Sequence, residues 1–387
     1  LSLCNNQLKV LPEKSGLFLG NSLLTLNLEN NHLQYLNASF FVKLNKLTSL
    51  DLDGNKFVVH PDITILTTGS NLQTITVQHC SSLTTIPELF FKNRENLREY
   101  RLHDNTLVKR LPEYTGLMAP NNMETLYMHS NRIEFINESF FINMTNLKYL
   151  YINSNNIKAL SESLFFNIPN LQTLRIDSQN PGMLNFPYVG PCKEYLTYLN
   201  LNNNDIENIT LEAVLNDKDN ATFKTEMALR EFYIQGNLLK TIPSEITVLM
   251  TNLYNVDIRL NPITIFPDFR PAYLTLWKLH CSTFRPDIPW PPMIALKELV
   301  IDKWQPTPVY PSPILPRAFT NLTALTHFYY RHLPFQAIPD LRPYLHSGGT
   351  IYLNMLNNYR DLYCTCDHHL CWIKEKPSNL YLWEWHG

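Results

Sequence analysis

One sequence motif, L-x-x-L-x-L-x-x-N-x-L, recurs along this chain and places an asparagine about every 24 residues. It can be read at residues 23–33, 47–57, 147–157 and 253–263, with other apolar residues at some leucine positions. A period of this length indicates one structural unit per repeat, which buries its apolar face only against the neighbouring units. The sequence therefore predicts an α/β repeat solenoid and not a globular domain around one central core.

The asparagine of this motif is suited to hydrogen-bond the backbone at the turn that follows the strand. The L-x-L segment alternates like a short strand whose leucines point inward, and the chain must turn directly after it. An asparagine amide can bond the backbone N–H and C=O groups that such a turn leaves unpaired. We call these the ladder positions, and they are Asn6, Asn31, Asn55, Cys80, Asn105, Asn131, Asn155, Gln179, Asn204, Asn237, Asn261 and, after degenerate repeats, Asn358. They predict about fifteen repeats, with Cys80 as a buried structural thiol.

The second half of several repeats carries a phenylalanine pair, and we expect one ring of each pair to fill the core. The pairs are Phe40 and Phe41, Phe90 and Phe91, Phe140 and Phe141, and Phe165 and Phe166. A repeat of this length with this phenylalanine resembles the typical class of leucine-rich repeat in animal extracellular proteins, such as Toll-like receptor ectodomains and chaoptin-like and Slit-like proteins. The resemblance covers residues 1 to about 262 well and the remainder loosely. It implies a leucine-rich repeat horseshoe with a parallel concave β-sheet and an irregular, largely non-helical convex side.

The spacing of the repeats also predicts how the chain is organised. A single solenoid is expected over residues 1–358, and one stretched spacing of 33 residues predicts a projecting loop at 212–230. Residues 262–345 hold 15 of the 26 prolines, so these repeats should be irregular with extended outer segments. The chain begins inside a repeat, and we therefore expect either that a signal peptide and an N-terminal cap precede Leu1 or that another subunit covers this end.

The segment 359–387 contains a cluster of cysteines. Three of the seven cysteines lie here, at Cys364, Cys366 and Cys371. They resemble the cysteine-rich cap that follows the last repeat of extracellular leucine-rich repeat proteins, which implies that this segment begins such a cap and that the three cysteines are oxidised. Their pairing stays open, as does that of Cys4, Cys192 and Cys281. The same cluster with His368 and His369 would also suit a zinc site, so that alternative stays open too.

Glycosylation sequons bear on the compartment of the protein. Six N-x-S/T sequons predict N-linked glycans at Asn37, Asn137, Asn143, Asn208, Asn220 and Asn321. None falls within a strand segment, so glycans would leave the sheet clear. The number of sequons is close to what chance would supply, so only their positions are informative, and it is the resemblance that implies an extracellular protein, either secreted or displayed as a cell-surface ectodomain.

Composition and missing motifs exclude several function classes. The formal net charge is −2, without a run of lysines and arginines, which disfavours a nucleic-acid partner. No apolar stretch is long enough to predict a membrane span. No phosphate-binding loop, dinucleotide fingerprint, nucleophile elbow or zinc-protease motif is present, so we expect a protein that is not an enzyme and needs no cofactor or metal.

Outward strand positions are the candidate binding residues. They form two columns, at the x of L-x-L and at the residue after the second leucine. The N-terminal end of both columns is acidic, whereas the centre gathers tyrosine, arginine and histidine. Tyrosine and arginine are enriched at the hot spots of protein interfaces. The predicted ligand-binding residues are Arg101, Tyr127, Tyr151, Arg175, His103, His129, Tyr233 and Arg259.

The sequence therefore predicts a recognition or cell-adhesion protein that binds a protein ligand through the concave sheet. The main alternative is a structural subunit of an extracellular matrix or polymer that uses its flanks and ends. A third reading is an innate-immune pattern-recognition receptor ectodomain. Besides a protein ligand and glycans, a homo-oligomer remains an open partner for each reading.

Overall fold

The computed structural model of the protein describes most of the chain. The described residues are 1–13, 22–41, 43–61, 71–88, 90–91, 94–113, 122–215, 226–282, 292–302, 321–333, 350–355 and 380–384. The chain divides into two compact units. The first comprises Leu1–Asp205 and Glu212–Thr222, and the second comprises Ile206–Leu211 and Phe223–Gly387.

Each unit is built on a parallel sheet with its strands in sequence order. The strands of the first unit are β1 Thr25–Asn27, β2 Ser49–Asp51, β3 Thr74–Thr76, β4 Glu99–Arg101, β5 Thr125–Tyr127, β6 Tyr149–Tyr151, β7 Thr173–Arg175 and β8 Tyr198–Asn200. Those of the second are β9 Glu231–Tyr233, β10 Asn255–Asp257, β11 Lys278–Cys281, β12 Glu298–Asp302, β13 His327–Leu333, β14 Thr350–Met355 and β15 Leu380–Glu384. This stacked parallel arrangement confirms the predicted leucine-rich repeat solenoid.

Strand alternation separates the core from the surface. In β1 the middle residue Leu26 and the following Leu28 are fully buried, while Thr25, Asn27 and Glu29 lie on the other side of the sheet. The same alternation recurs in the next strands, where apolar side chains fill the interior at each step. We call the side that carries residues 25, 27 and 29, and their equivalents in later repeats, the open sheet face.

The segments between the strands contain only short helices among the described residues. These are α1 Ala38–Phe41, α2 Leu211–Val214 and α3 Ser244–Thr247, with 3-10 turns at Glu138–Phe141, Leu164–Asn167, Gly190–Cys192 and Arg270–Ala272. None is long and apolar enough to cross a bilayer. In three of the four phenylalanine pairs both rings are buried, because the short turn directs them into the core together. The expectation of one inward ring per pair holds only at Phe165, whose neighbour Phe166 is 44% exposed.

The amides at the ladder positions from Asn31 to Asn261 bond the backbone as predicted, whereas Asn358 lies outside the described residues. Asn155 shows the pattern, since its Nδ2 donates to the carbonyl of Met128 at 2.9 Å and to that of Ile152 at 3.0 Å. Its Oδ1 accepts the N–H of Ile133 at 3.0 Å. Each such amide therefore ties two neighbouring repeats together inside the core, where an unpaired backbone group would be costly.

Cys80 replaces the amide with weaker contacts. Its Sγ lies 3.8 Å from the carbonyl oxygen of Leu52 and 3.6 Å from that of Gln78. Burial raises the pKa of the thiol to about 11, although backbone hydrogen bonds oppose the shift. A buried thiol with a raised pKa is unreactive, in agreement with the structural role predicted for it.

Two parts of the predicted organisation can be compared with the described residues. β15 pairs in parallel with β14, so the sheet continues into the segment 359–387 that was assigned to the cap. At both ends of the predicted loop 212–230 the chain is packed, since Val214 and Leu229 are fully buried. The remainder of that loop, the sequon at Asn220 and the cluster of Cys364, Cys366 and Cys371 lie outside the described residues.

Candidate ligand-binding face

The centre of the open sheet face in the first unit holds most of the predicted binding residues. Strand register pairs Arg101 with Tyr127, Tyr127 with Tyr151, and Tyr151 with Arg175. These side chains therefore form one row across β4, β5, β6 and β7, and all are half-buried. Two residues further on, His103 and His129 occupy the next row. We call these six residues the central cluster.

Aromatic stacking organises the first row. The rings of Tyr127 and Tyr151 stack with centroids 4.7 Å apart and an angle of 3° between their planes. The Arg101 guanidinium carbon lies 5.1 Å from the centroid of the Tyr127 ring. Burial and the neighbouring tyrosine hydroxyls raise the pKa of Tyr151, so its hydroxyl stays protonated and can donate a hydrogen bond to a ligand. The row thus presents rigid aromatic surface with a positive charge beside it.

Carboxylates hold the two arginines in place. Nε of Arg101 lies 2.5 Å from Oε1 of Glu99, and Nε of Arg175 lies 3.3 Å from Oδ1 of Asp177. The side chains of the two arginines are 40% and 39% exposed, while Asp177 is buried. Each guanidinium therefore keeps other N–H groups available for a ligand, although its net charge is largely balanced.

Three histidines adjoin the tyrosine row. The rings of His103 and His129 stack with centroids 4.2 Å apart, and His79 meets His103 edge to face at 6.0 Å. Nδ1 of His103 is 2.7 Å from Oδ2 of Asp104. Burial, and then the charge of His103, lower the pKa of His129. Burial would raise the pKa of Asp104, but hydrogen bonding and the charges of His103 and His79 outweigh it and lower that pKa.

The remaining two predicted residues lie in the second unit and are held by their own neighbours. The Tyr233 hydroxyl donates to Glu231 at 2.6 Å and accepts from Asn255 at 2.8 Å. Arg259 bonds Asp257 at 2.6 Å through Nη2, and its side chain is only 16% exposed. Their ligand-binding role stays a prediction, and these contacts favour a structural one.

Arg259 belongs to a larger charged network on β10, β11 and β12. Its Nη1 lies 3.6 Å from Asp302, while His280 lies 3.6 Å from Asp257 and 3.1 Å from Glu298. Burial alone would raise the pKa of Asp257. Hydrogen bonds and charges from His280 and Arg259 outweigh that effect and hold the pKa below its ordinary value of 3.8.

Acid should therefore weaken this network. Because the folded pKa of Asp257 is depressed, its stabilisation is present above pH 3.8 and is lost as the pH falls through the folded pKa. We expect the urea midpoint of Asp257→Asn to lie below that of the parent at pH 7, with the gap narrowing towards pH 3. The matched control is Asp268→Asn, which breaks an exposed pair with Arg270 and should change little. Equal gaps for Asp257→Asn at both pH values would contradict the assignment.

Sequence reasoning missed a third row on the same face. Residues two before the first row, including Glu99 and Tyr149, also point outward, as strand alternation from Arg101 and Tyr151 would have indicated. It also missed Asp104, which follows the strand at a turn with a positive φ of 59°. A turn residue of this kind carries no alternation signal.

The second unit also has a shallow recess of about 620 Å³, which does not include the residues of the Arg259 network. It is lined by Tyr254, Trp277, Leu274, Arg230 and neighbouring residues. The Tyr254 and Trp277 rings stack with centroids 5.7 Å apart, which gives an aromatic pair outside the central cluster to compare with it.

Known proteins show the same kind of repeat. The family described as leucine rich repeat matches residues 1–57 and 121–181. Osteomodulin from Bos taurus is 31% identical over 137 residues, which cover 35% of this chain and 24% of osteomodulin. The chain thus spans about a quarter of that relative's length.

Solved structures share the fold at low sequence identity. The TLR13-ssRNA13 complex has a TM-score of 0.66 and 20% identity, covering 99% of this chain and 53% of TLR13. The leucine-rich repeat protein LIC12759 of Leptospira interrogans has a TM-score of 0.56 and 21% identity, covering 85% and 77% of the two chains. An internalin, inlF, from Listeria monocytogenes has a TM-score of 0.51 and 17% identity, covering 85% of each chain.

Proposed function

We propose that this leucine-rich repeat protein is an extracellular recognition protein that binds a protein ligand through the central cluster. The observation that carries the proposal is the stacked pair Tyr127 and Tyr151, placed in one row with Arg101 and Arg175. Tyrosine and arginine are enriched at interface hot spots, and here they are neighbours on the open sheet face.

Preorganisation favours this site over a random polar surface. The two tyrosine rings restrain each other, and carboxylates restrain both arginines. Ordering a side chain on binding costs about 0.5–1.5 kcal/mol, so groups already held in place lose less on association. The row spans roughly 15 Å from β4 to β7, because neighbouring strands are about 4.8 Å apart. That width suits a compact hot spot.

An extracellular location is supported by the positions of the glycosylation sequons. Asn37 and Asn137 both use Oδ1 to accept hydrogen bonds at the start of a short helical turn, away from the strands. A glycan on either residue would leave the open sheet face accessible.

A protein ligand is favoured over a nucleic acid. TLR13 was solved in complex with ssRNA13, so the fold itself is compatible with RNA. In this chain, however, both arginines of the central cluster lie against a carboxylate, and the net charge is −2. Phosphate binding gains its affinity from an excess of positive charge, which this arrangement does not supply.

Site-specific cross-linking tests the location of the binding surface. A photoreactive phenylalanine derivative is incorporated at position 153, next to Tyr151 on the open sheet face, or at position 158, where Lys158 is exposed off the strands. Each protein is mixed with secreted proteins of the source tissue, irradiated and analysed by mass spectrometry. We expect one protein adduct at position 153 and none at 158. Adducts at 158 alone would replace the proposal with the structural-assembly alternative.

A further inference from the structure

Three side chains of metal-ligand type meet beside the tyrosine row. His103 and Asp104 follow β4, His129 follows β5, and one donor atom from each lies within 4.8 Å of the other two. Nδ1 of His103 and Oδ2 of Asp104 are already 2.7 Å apart. His79, in the preceding repeat, brings Nε2 to 4.0 Å from the same carboxylate oxygen.

The repeat geometry explains why these donors converge. Equivalent positions in successive repeats are about one strand spacing apart, roughly 4.8 Å, so identical side chains at one position stack. His103 and His129 occupy one such position on neighbouring strands, and their rings are parallel within 14°. The flanking repeats have Gln78 and Asn153 there, whose amides are weaker ligands for transition metals. Among the described residues, His103, Asp104 and His129 are the one set of at least three ligand-type side chains close enough together to hold an ion.

We propose that His103, Asp104 and His129 bind one divalent transition-metal ion, for which Zn²⁺ is the best match. Two imidazole nitrogens and one carboxylate oxygen form a ligand set that Zn²⁺ accepts at about 2.0–2.2 Å. In a tetrahedral site such donors are roughly 3.4 Å apart, so the widest observed separation must shorten. Side-chain rotation can achieve this, because all three residues are only partly buried. Water or His79 fills the fourth position.

The surrounding charges allow a cation at this place. Arg101 and Arg175 are basic residues on the same face, and each lies against a carboxylate. Asp104 supplies a negative charge within the site itself. The ligand set is too poor in oxygen for Ca²⁺, which prefers six to eight oxygen ligands. The site does not depend on the proposed protein ligand, so each idea can fail without the other.

Calorimetric titration of the full chain with Zn²⁺ tests the site, using protein that carries no polyhistidine tag. We expect the double substitution His103→Gln and His129→Gln to abolish the binding of one Zn²⁺ ion per chain, or to lower the affinity for that ion. The loss of affinity should exceed the roughly 10- to 100-fold that is typical when a residue hydrogen-bonded to a metal ligand is mutated. The control His32→Gln changes an exposed histidine and should still bind that ion. Ca²⁺ should give no binding heat. Urea midpoints establish that each variant is folded.

Cysteines can also bind Zn²⁺, so Cys364, Cys366 and Cys371 require a separate experiment. Substitution of Cys364, Cys366 and Cys371 by serine should leave Zn²⁺ binding at the histidines intact. Co²⁺ added to this variant should give visible bands of a nitrogen and oxygen site, without a thiolate charge-transfer band. Full Zn²⁺ binding by the double histidine variant, or loss of all Zn²⁺ in the serine variant, would overturn the proposal.

Discussion

Replacing Asn155 by alanine is expected to destabilise the first unit by about 1–3 kcal/mol, because the buried N–H of Ile133 loses its acceptor. The carbonyls of Met128 and Ile152 also lose a bond to Asn155, but each keeps a second amide donor at 2.9 Å, Nδ2 of Asn131 and Nε2 of Gln179 respectively. Repeat proteins can unfold in parts, so the loss should be followed locally as well as globally. We therefore expect a lower urea midpoint together with faster hydrogen exchange at the Ile133 amide.

Cys80→Ala is the matched control for this experiment. It removes a side chain from the same ladder position in another repeat, but only contacts of 3.6 and 3.8 Å to carbonyl oxygens are lost. A thiol is a weak donor, so the loss should be about 1 kcal/mol or less. If Asn155→Ala unfolds like the parent while Cys80→Ala does not, the account of the ladder is wrong.

The ladder was predictable from sequence because its physical cause repeats at every turn of the chain. The fold was predictable from the same periodicity, but only over the part of the sequence where that periodicity is regular. Beyond Asn261 the strands grow longer, and β15 lies where no repeat was expected, since the motif that marks a strand has degenerated there. The phenylalanine pairs show a different limit. Sequence placed them in the core, but the number of buried rings depends on how each short turn is oriented.

The candidate site was partly predictable for a related reason. Equal positions in successive repeats had to align, so the row from Arg101 to Arg175 could be read directly. Whether a side chain on that face is available to a ligand depends on its neighbours. Arg259 was predicted to face outward like Arg101, yet its side chain is only 16% exposed because Asp257 and Asp302 both hold it. Such local pairing between repeats has no signature in a single sequence.

Loss of the tyrosine pair is expected to have the largest effect on binding. A hot-spot residue replaced by alanine costs about 2 kcal/mol or more, which corresponds to roughly 30-fold in Kd. Tyr127 and Tyr151 stack on each other, so their effects should be coupled and the two single variants will not simply add. For the double variant we expect Kd to rise about 100-fold or more. Both rings are only half-buried, so the urea midpoint should change little.

Two controls separate this site from other surfaces. Lys158→Ala removes an exposed side chain away from the open sheet face. Tyr254→Ala removes one member of an aromatic stack at a different place, with Trp277 at the recess of the second unit. Neither change should alter Kd more than about two-fold, since surface positions outside a hot spot contribute little.

The most direct test measures Kd for the partner identified by cross-linking, with the parent chain and these variants on one biosensor surface. The account predicts that Tyr127→Ala with Tyr151→Ala abolishes or weakens binding about 100-fold, while Lys158→Ala and Tyr254→Ala bind like the parent. Unchanged Kd in the folded double tyrosine variant, or a loss confined to Tyr254→Ala, would contradict recognition through the central cluster.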